Sequence, residues 1–157
     1  MSKQDTTSVA VRQAVWPADE ELIHSVRKTV FVLEQGVPAD LEWDGKDQGC
    51  THVLAELIIV AKRDAVGTGR LMPDGKIGRM AVLTKYRGKG IGGDILTALV
   101  EAAKSRGLHE VYLHAQSHAM AFYQRFDFVV EGDEFQEAGI PHLKMRQTID
   151  YGEQRTK

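Results

Sequence analysis

From Val9 the chain alternates, with Val9, Val11, Gln13 and Val15 on one side and Ala10, Arg12, Ala14 and Trp16 on the other. That two-residue period predicts an opening strand, which Pro17 ends. From Asp19 the period lengthens to Leu22, Ile23, Val26, Val30 and Phe31, one stripe of a helix with Asp19 as N-cap and Gly36 and Pro38 beyond its end. Val37 to Gly49 carries Asp40, Glu42, Asp44 and Asp47 and reads as an acidic loop. Three strands are then predicted: His52 to Val60, Val66 to Met72 after a polar turn at Lys62 to Asp64, and Lys76 to Leu83 after Pro73-Asp74-Gly75. Ile95, Leu96, Leu99, Val100 and Ala103 recur at helical spacing up to Gly107. Beyond them come a strand at Glu110 to Ala115, a short helix at Ala119 to Phe126, a strand at Phe128 to Glu131, a loop holding Gly132 and Gly139, and a last strand at Ile140 to Thr148.

A chain of 157 residues suits one domain with a substantial core. Its 20 Lys and Arg nearly balance 22 Asp and Glu, so the net charge of -2 gives no general attraction to nucleic acid or to an anionic membrane. There is no interleaving of aromatic and basic residues, which further disfavours a nucleic-acid-binding module. Cys50 is the only cysteine, which excludes an internal disulfide and a CxxC zinc site. Met1 to Ser8 is polar, and no window approaches the ~18 apolar residues of a membrane span. The expectation is a soluble, cytoplasmic protein with no membrane partner.

The strongest local signal lies between the third strand of that set and the long helix. Arg87 to Gly93 places four glycines, Arg87 and Lys89 at the mouth of the helix. Glycine lets backbone approach a ligand closely, and the free amides of a first helical turn suit an anion such as a pyrophosphate. Gly88, Gly90 and Gly93 also satisfy GxGxxG, but a dinucleotide site would place an acidic residue ~20 positions on, where Val111 to Ala115 offers no carboxylate. No GxxxxGK[ST] occurs, so a P-loop fails as well.

Arg87-Gly88-Lys89-Gly90-Ile91-Gly92 resembles the acetyl-CoA loop, [RQ]xxGx[GA], of the GNAT acyltransferases. The preceding Gly78-Arg79-Met80-Ala81-Val82 is similar to that family's splayed strand, whose backbone amides bind the pantetheine arm and polarise the thioester carbonyl. The resemblance implies that Met80, Ala81 and Val82 line the acyl end and that Arg87, Gly88, Lys89, Gly90, Ile91, Gly92 and Gly93 hold the pyrophosphate. It covers nearly the whole chain. Its implied fold is a single α/β (α+β) domain over 1–157, a mixed, largely antiparallel sheet flanked by helices, with acetyl-CoA in the cleft between the strands of Met80 to Val82 and Val111 to Ala115.

Gln116 to Phe128 resembles the family's NxxAxxFYxxxGF segment, with Gln116 in place of Asn and Asp127 in place of the turn Gly. Asp tolerates a left-handed conformation better than most residues, so the turn can survive. Acyl transfer to an amine needs an uncharged nucleophile, a stabilised oxyanion and a proton for the departing thiolate. By analogy Tyr123 supplies that proton. Glu34, His114, Gln116 and His142 are the candidates for deprotonating or contacting the acceptor amine, and the sequence leaves the choice open. His114 and His118 fall on either side of a strand-to-helix boundary and do not share a helical face as zinc ligands, so no metal is expected.

Val30 to Pro38 with the acidic residues that follow resembles a small bacterial GNAT subgroup typified by ElaA and YjcF, and the acidic loop is a candidate attractor of a cationic acceptor. Arg27, Phe31, Trp43 and the acidic run also resemble acyl-homoserine-lactone synthases, which lack the RGKGIG loop. The expected activity is acetyl transfer to a primary amine, small molecule or peptide, in a ternary complex; a non-catalytic CoA-binding regulator is the alternative. The family resemblance also allows a homodimer.

Overall fold

The computed structural model describes residues 7–151; residues 1–6, part of the polar N-terminal stretch read above, and 152–157 lie outside that description. The elements are β1 (Thr7–Gln13), α1 (Glu20–Arg27) running straight into a π-helical segment (Lys28–Glu34), α2 (Ala39–Glu42), β2 (Thr51–Ile59), β3 (Lys62–Leu71), β4 (Ile77–Val82), α3 (Ile91–Ser105), β5 (Glu110–Gln116), α4 (Met120–Gln124), β6 (Val129–Glu137) and β7 (Ile140–Thr148). Among the described residues no helix is long and apolar enough to cross a membrane.

Two antiparallel sheets form, β1-β2-β3-β4 and β5-β7-β6. They touch through one parallel bridge, Lys76 with Tyr112, where the Tyr112 N–H donates to the Gly75 carbonyl at 3.0 Å. Past that bridge β4 and β5 diverge, and the outer edge of β4 has no strand partner among the described residues. This is the expected α+β architecture with its splayed strand.

The core explains the arrangement. Ile95, Leu96 and Leu99 of α3 are fully buried against Val53 and Ala55 of β2, Val66 and Leu71 of β3, and Leu113, Ala115 and Met145 of the second sheet. Burying each such Leu or Ile contributes about 1.5–3 kcal/mol, so α3 ties the sheets together behind the cleft. Along β5, Val111, Leu113 and Ala115 turn to this core, while Tyr112, His114 and Gln116 turn the other way and stay half-buried.

Several boundaries differ from the sequence reading. The turn expected at Lys62 to Asp64 is part of β3, and β6 continues to Glu137 instead of ending at Glu131, passing through a register shift between Glu131 and Phe135. Most of β6 is exposed, so no apolar alternation marks it. Asp19 precedes α1 but does not cap it: its carboxylate accepts from Arg12 Nη1 at 2.8 Å and from the Val15 N–H at 2.8 Å. Asp127 does take the left-handed turn, with φ of 72°.

The acidic segment is the largest correction. Glu42, Asp44 and Asp47 do not stand open to a cationic acceptor, because arginines from three other elements pair with them, while Asp40 stays exposed. Arg27 of α1, with no exposed surface, donates to Glu42 Oε2 and Asp47 Oδ1, each at 2.7 Å. Arg70 of β3 donates to Asp47 Oδ1 at 2.9 Å and Asp44 Oδ2 at 3.0 Å, and Arg79 of β4 donates to Asp44 Oδ2 at 3.1 Å and the Glu42 carbonyl at 3.1 Å. Burial of charge is tolerable only with such pairing.

Candidate active site

The site begins with an irregularity in β4. Thr68 pairs with Ala81 and Arg70 with Gly78, so Arg79 and Met80 together face Gly69, and the strand bulges there. Arg79 has φ of 51°, an uncommon conformation for a non-glycine residue. Its guanidinium, anchored on Glu42 and Asp44, holds it. The bulge interrupts the β3–β4 ladder, and the other edge of β4 faces the divergence from β5. Ala81 itself is buried against Val26 and Val30, so only its backbone is available there.

Next to β4 lies the glycine-rich loop. Gly90, with φ of 87°, is the residue before α3, and a Cβ there would meet nothing within 4 Å. The first-turn amides of Ile91, Gly92 and Gly93 lack intrahelical acceptors, as at any helix start, so the loop is an open cradle for an anion. Behind the cradle Gly93 admits the ring of Phe126, which a Cβ at that position would overlap. That contact links the loop to the segment carrying Tyr123.

The Arg87 side chain has partners on both neighbouring elements. Its Nε donates to the Val82 carbonyl at 2.7 Å, and Nη1 and Nη2 donate to Glu34 at 2.7 and 2.8 Å. Glu34 also accepts from Thr84 Oγ1 at 3.2 Å. The Arg87 hydrogen bonds hold the Glu34 carboxyl below its ordinary pKa, which weakens it as a base. Glu34 is not among the residues that line the cavity described next; its contacts join the π-helical segment to the loop.

A cavity of about 540 Å³ opens where β4 and β5 diverge. Gly78, Arg79 and Met80 form one wall and Leu113, His114 and Gln116 the other; Phe31, Tyr123, Glu137 and His142 close it. Phe31 reaches it because the π-helical segment widens the helix: the Gln35 N–H donates to the Val30 carbonyl at 3.0 Å, five residues back. Tyr123 packs edge-on against Phe122 and Phe128, and its hydroxyl makes no hydrogen bond among the described residues. Burial pushes the phenol pKa up, so it keeps its proton at neutral pH.

The other candidates are placed as follows. Gln116 Oε1 accepts from His118 Nε2 at 2.7 Å, which leaves the Gln116 amide N–H groups for the cavity. His142 Nδ1 donates to the Ile140 carbonyl at 2.7 Å, and Glu137, which sequence reasoning missed, bonds His114. Thus Tyr123, Gln116, His114 and His142 meet at one cavity, and Glu34 stands outside it.

Fold and site together define an acyltransferase of the GNAT class. The acetyltransferase (GNAT) domain matches residues 45–149, and the chain belongs to that family. It is 40% identical over 124 residues to the "uncharacterized N-acetyltransferase YjcF" of Bacillus subtilis, covering 76% of this chain and 86% of that one. It is 32% identical over 130 residues to ElaA of Escherichia coli, covering 79% and 84%. Among solved structures, an acyl-CoA N-acyltransferase from Pseudomonas aeruginosa superposes with a TM-score of 0.74 at 28% identity, covering 90% of this chain and 99% of that one.

Proposed function

We propose that the protein transfers acetyl from acetyl-CoA to a primary amine, small molecule or peptide, by direct attack in a ternary complex. One observation carries this reading: an unpaired strand edge and a half-buried tyrosine, whose hydroxyl makes no hydrogen bond among the described residues, share one cavity beside an open glycine cradle at a helix start. The cradle fits the cofactor. Loop amides from Gly88 to Gly93, with Lys89, take the pyrophosphate, and the backbone of Met80 to Val82 lies along the pantetheine arm. Arg87, braced by Glu34, fixes the Val82 end of that edge. Acetyl-CoA supplies an acyl group activated as a thioester.

The chain's residues then meet the chemical needs in turn. Amides of the β4 edge donate to the carbonyl oxygen as negative charge grows there, which is worth most in a site that excludes water. Tyr123 gives its proton to the departing sulfur. Gln116 and His142 form the acceptor side of the cavity.

Among the described residues no cysteine, serine or threonine lines the cavity to serve as the nucleophile of an acyl-enzyme. Cys50 lies at the start of β2, away from the cavity lining, its Sγ donating to the Lys46 carbonyl at 3.1 Å. Burial pushes its thiol pKa up, which disfavours the reactive thiolate. Thiol release from acetyl-CoA, followed over a panel of primary amines, tests the reading. The expected result is sequential kinetics with most of kcat retained in Cys50→Ala. Ping-pong kinetics abolished by Cys50→Ala would reject direct attack.

A further inference from the structure

Amines reach a neutral-pH enzyme largely as ammonium ions, which have no lone pair for attack, so the acetyltransferase reading proposed above requires a proton acceptor on the acceptor side of the cavity. We infer that His114, oriented by Glu137, is that general base. His114 projects from the face of β5 that carries Tyr112 and Gln116, opposite the core face. Glu137 is the last residue of β6, and the tight turn at Ala138 and Gly139 sets its carboxylate 2.9 Å from His114 Nδ1. A carboxylate only accepts, so Nδ1 carries the ring hydrogen and Nε2 holds the lone pair. The edge of Phe135 against the ring, at 5.1 Å between centroids, limits its rotation. Both His114 and Glu137 line the cavity that Tyr123 enters.

His142 is the rival, since its Nδ1 also donates and its Nε2 is also a lone pair. The two differ in what happens after proton uptake. His142 is 7% exposed and rests on a carbonyl and on the face of Phe135, so among the described residues a cation there has no carboxylate in hydrogen-bond contact. An imidazolium at His114 keeps Glu137 as a counter-charge in hydrogen-bond contact.

Lys76, bridged to Tyr112, also lines the cavity, and the other charged groups near His114 are engaged. Lys144, its cross-strand neighbour on β7, sits over the Tyr112 ring at 5.0 Å and 3.9 Å from Glu131. Tyr112 donates to Asp74. On the opposite wall Glu42 and Arg79 are tied into the arginine cluster.

In the reaction the ammonium gives one proton to His114 Nε2. The freed lone pair forms the C–N bond, and the C–S bond breaks with its electron pair going to sulfur. Tyr123 protonates that sulfur and is reprotonated by the second proton lost from nitrogen, while His114 returns the first to solvent.

The test compares ethylamine, a cation at neutral pH, with 2,2,2-trifluoroethylamine, largely neutral there, as acceptors. His114→Gln should lower kcat/KM for ethylamine about 100-fold and Glu137→Gln about tenfold. For trifluoroethylamine both losses should shrink to within about threefold, because that acceptor needs no initial deprotonation. His142→Gln should show no such dependence on acceptor protonation. A merely structural role lowers both amines alike, so equal losses, or no loss for either, would overturn the assignment. The same dependence on acceptor protonation appearing in His142→Gln instead would give the role to His142. A wild-type protein that binds acetyl-CoA but releases no thiol with either amine would overturn the acetyltransferase reading itself, and the dyad with it.

Discussion

Tyr123→Phe is expected to lower kcat by about 10²–10⁴-fold while leaving acetyl-CoA affinity nearly intact. The substitution removes one oxygen that makes no hydrogen bond among the described residues, and it keeps the ring contacts with Phe122 and Phe128. Packing of α4 against the core therefore persists, and the loss falls on the chemical step. Because burial raises the phenol pKa, the donor stays protonated throughout the neutral range and would be lost only above its ordinary value of about 10. Steady-state kinetics beside calorimetry of acetyl-CoA binding separate the two quantities. Unchanged turnover would reject Tyr123 as the proton donor, and an equal loss of affinity would assign it to cofactor binding.

Arg27→Ala is expected to destabilise the fold by about 3–5 kcal/mol, read from urea unfolding. Arg27 is fully buried and makes three hydrogen bonds, to Glu42 Oε2, Asp47 Oδ1 and the Glu42 carbonyl. Alanine leaves Glu42 and Asp47 buried with less compensating charge, and it also removes the contact of the guanidinium with the Trp43 ring. The effect reaches the active site, since Glu42 and Asp44 anchor Arg79 in the β4 bulge.

The same cluster sets an acid limit. Burial alone would raise the Asp47 carboxyl, but the hydrogen bonds and charge of Arg27, with those of Arg70 and His24, outweigh it and hold the pKa low. Asp44 is likewise held low by Arg70 and Arg79 against its own burial. Carboxyls depressed in the folded state contribute stability that is complete above their unfolded value of about 3.9 and is lost as pH falls through the folded values. Wild-type unfolding in acid should therefore begin below about pH 4, and in Arg27→Ala it should move upward. A loss under about 1 kcal/mol, with an unmoved acid limit, would show that the cluster is dispensable.

Much of this architecture was legible along the chain because it is written in local periodicity. The helical stripe from Ile95 to Ala103, the strand at Glu110 and the glycine loop before Ile91 all follow from nearest-neighbour chemistry, and even the left-handed turn at Asp127 does. What escaped was pairing between distant residues. Arg27 and Arg70 occupy buried positions within apolar patterns, which was a readable anomaly, yet nothing local said that Glu42, Asp44 and Asp47 would meet them. Glu34 and Arg87 stand 53 positions apart, and nothing local announced their pairing. Glu137 lay in a stretch read as loop, because an exposed strand interrupted by a bulge has no alternating pattern to betray it. The acceptor side of the cavity thus depended on register between strands, while the cofactor side depended on a contiguous motif.

The most direct test of the account is isothermal titration of acetyl-CoA, CoA and NADH into the wild-type protein and Gly90→Asp. At the left-handed φ of Gly90 an Asp carries backbone strain, so urea unfolding beside the titration checks that the fold persists while the carboxylate occupies the cradle and repels the pyrophosphate. The account predicts micromolar binding of acetyl-CoA and CoA, no binding of NADH, and at least about a tenfold loss of acetyl-CoA affinity in Gly90→Asp. Absence of acetyl-CoA binding to the wild type, or affinity undiminished in Gly90→Asp, would contradict it.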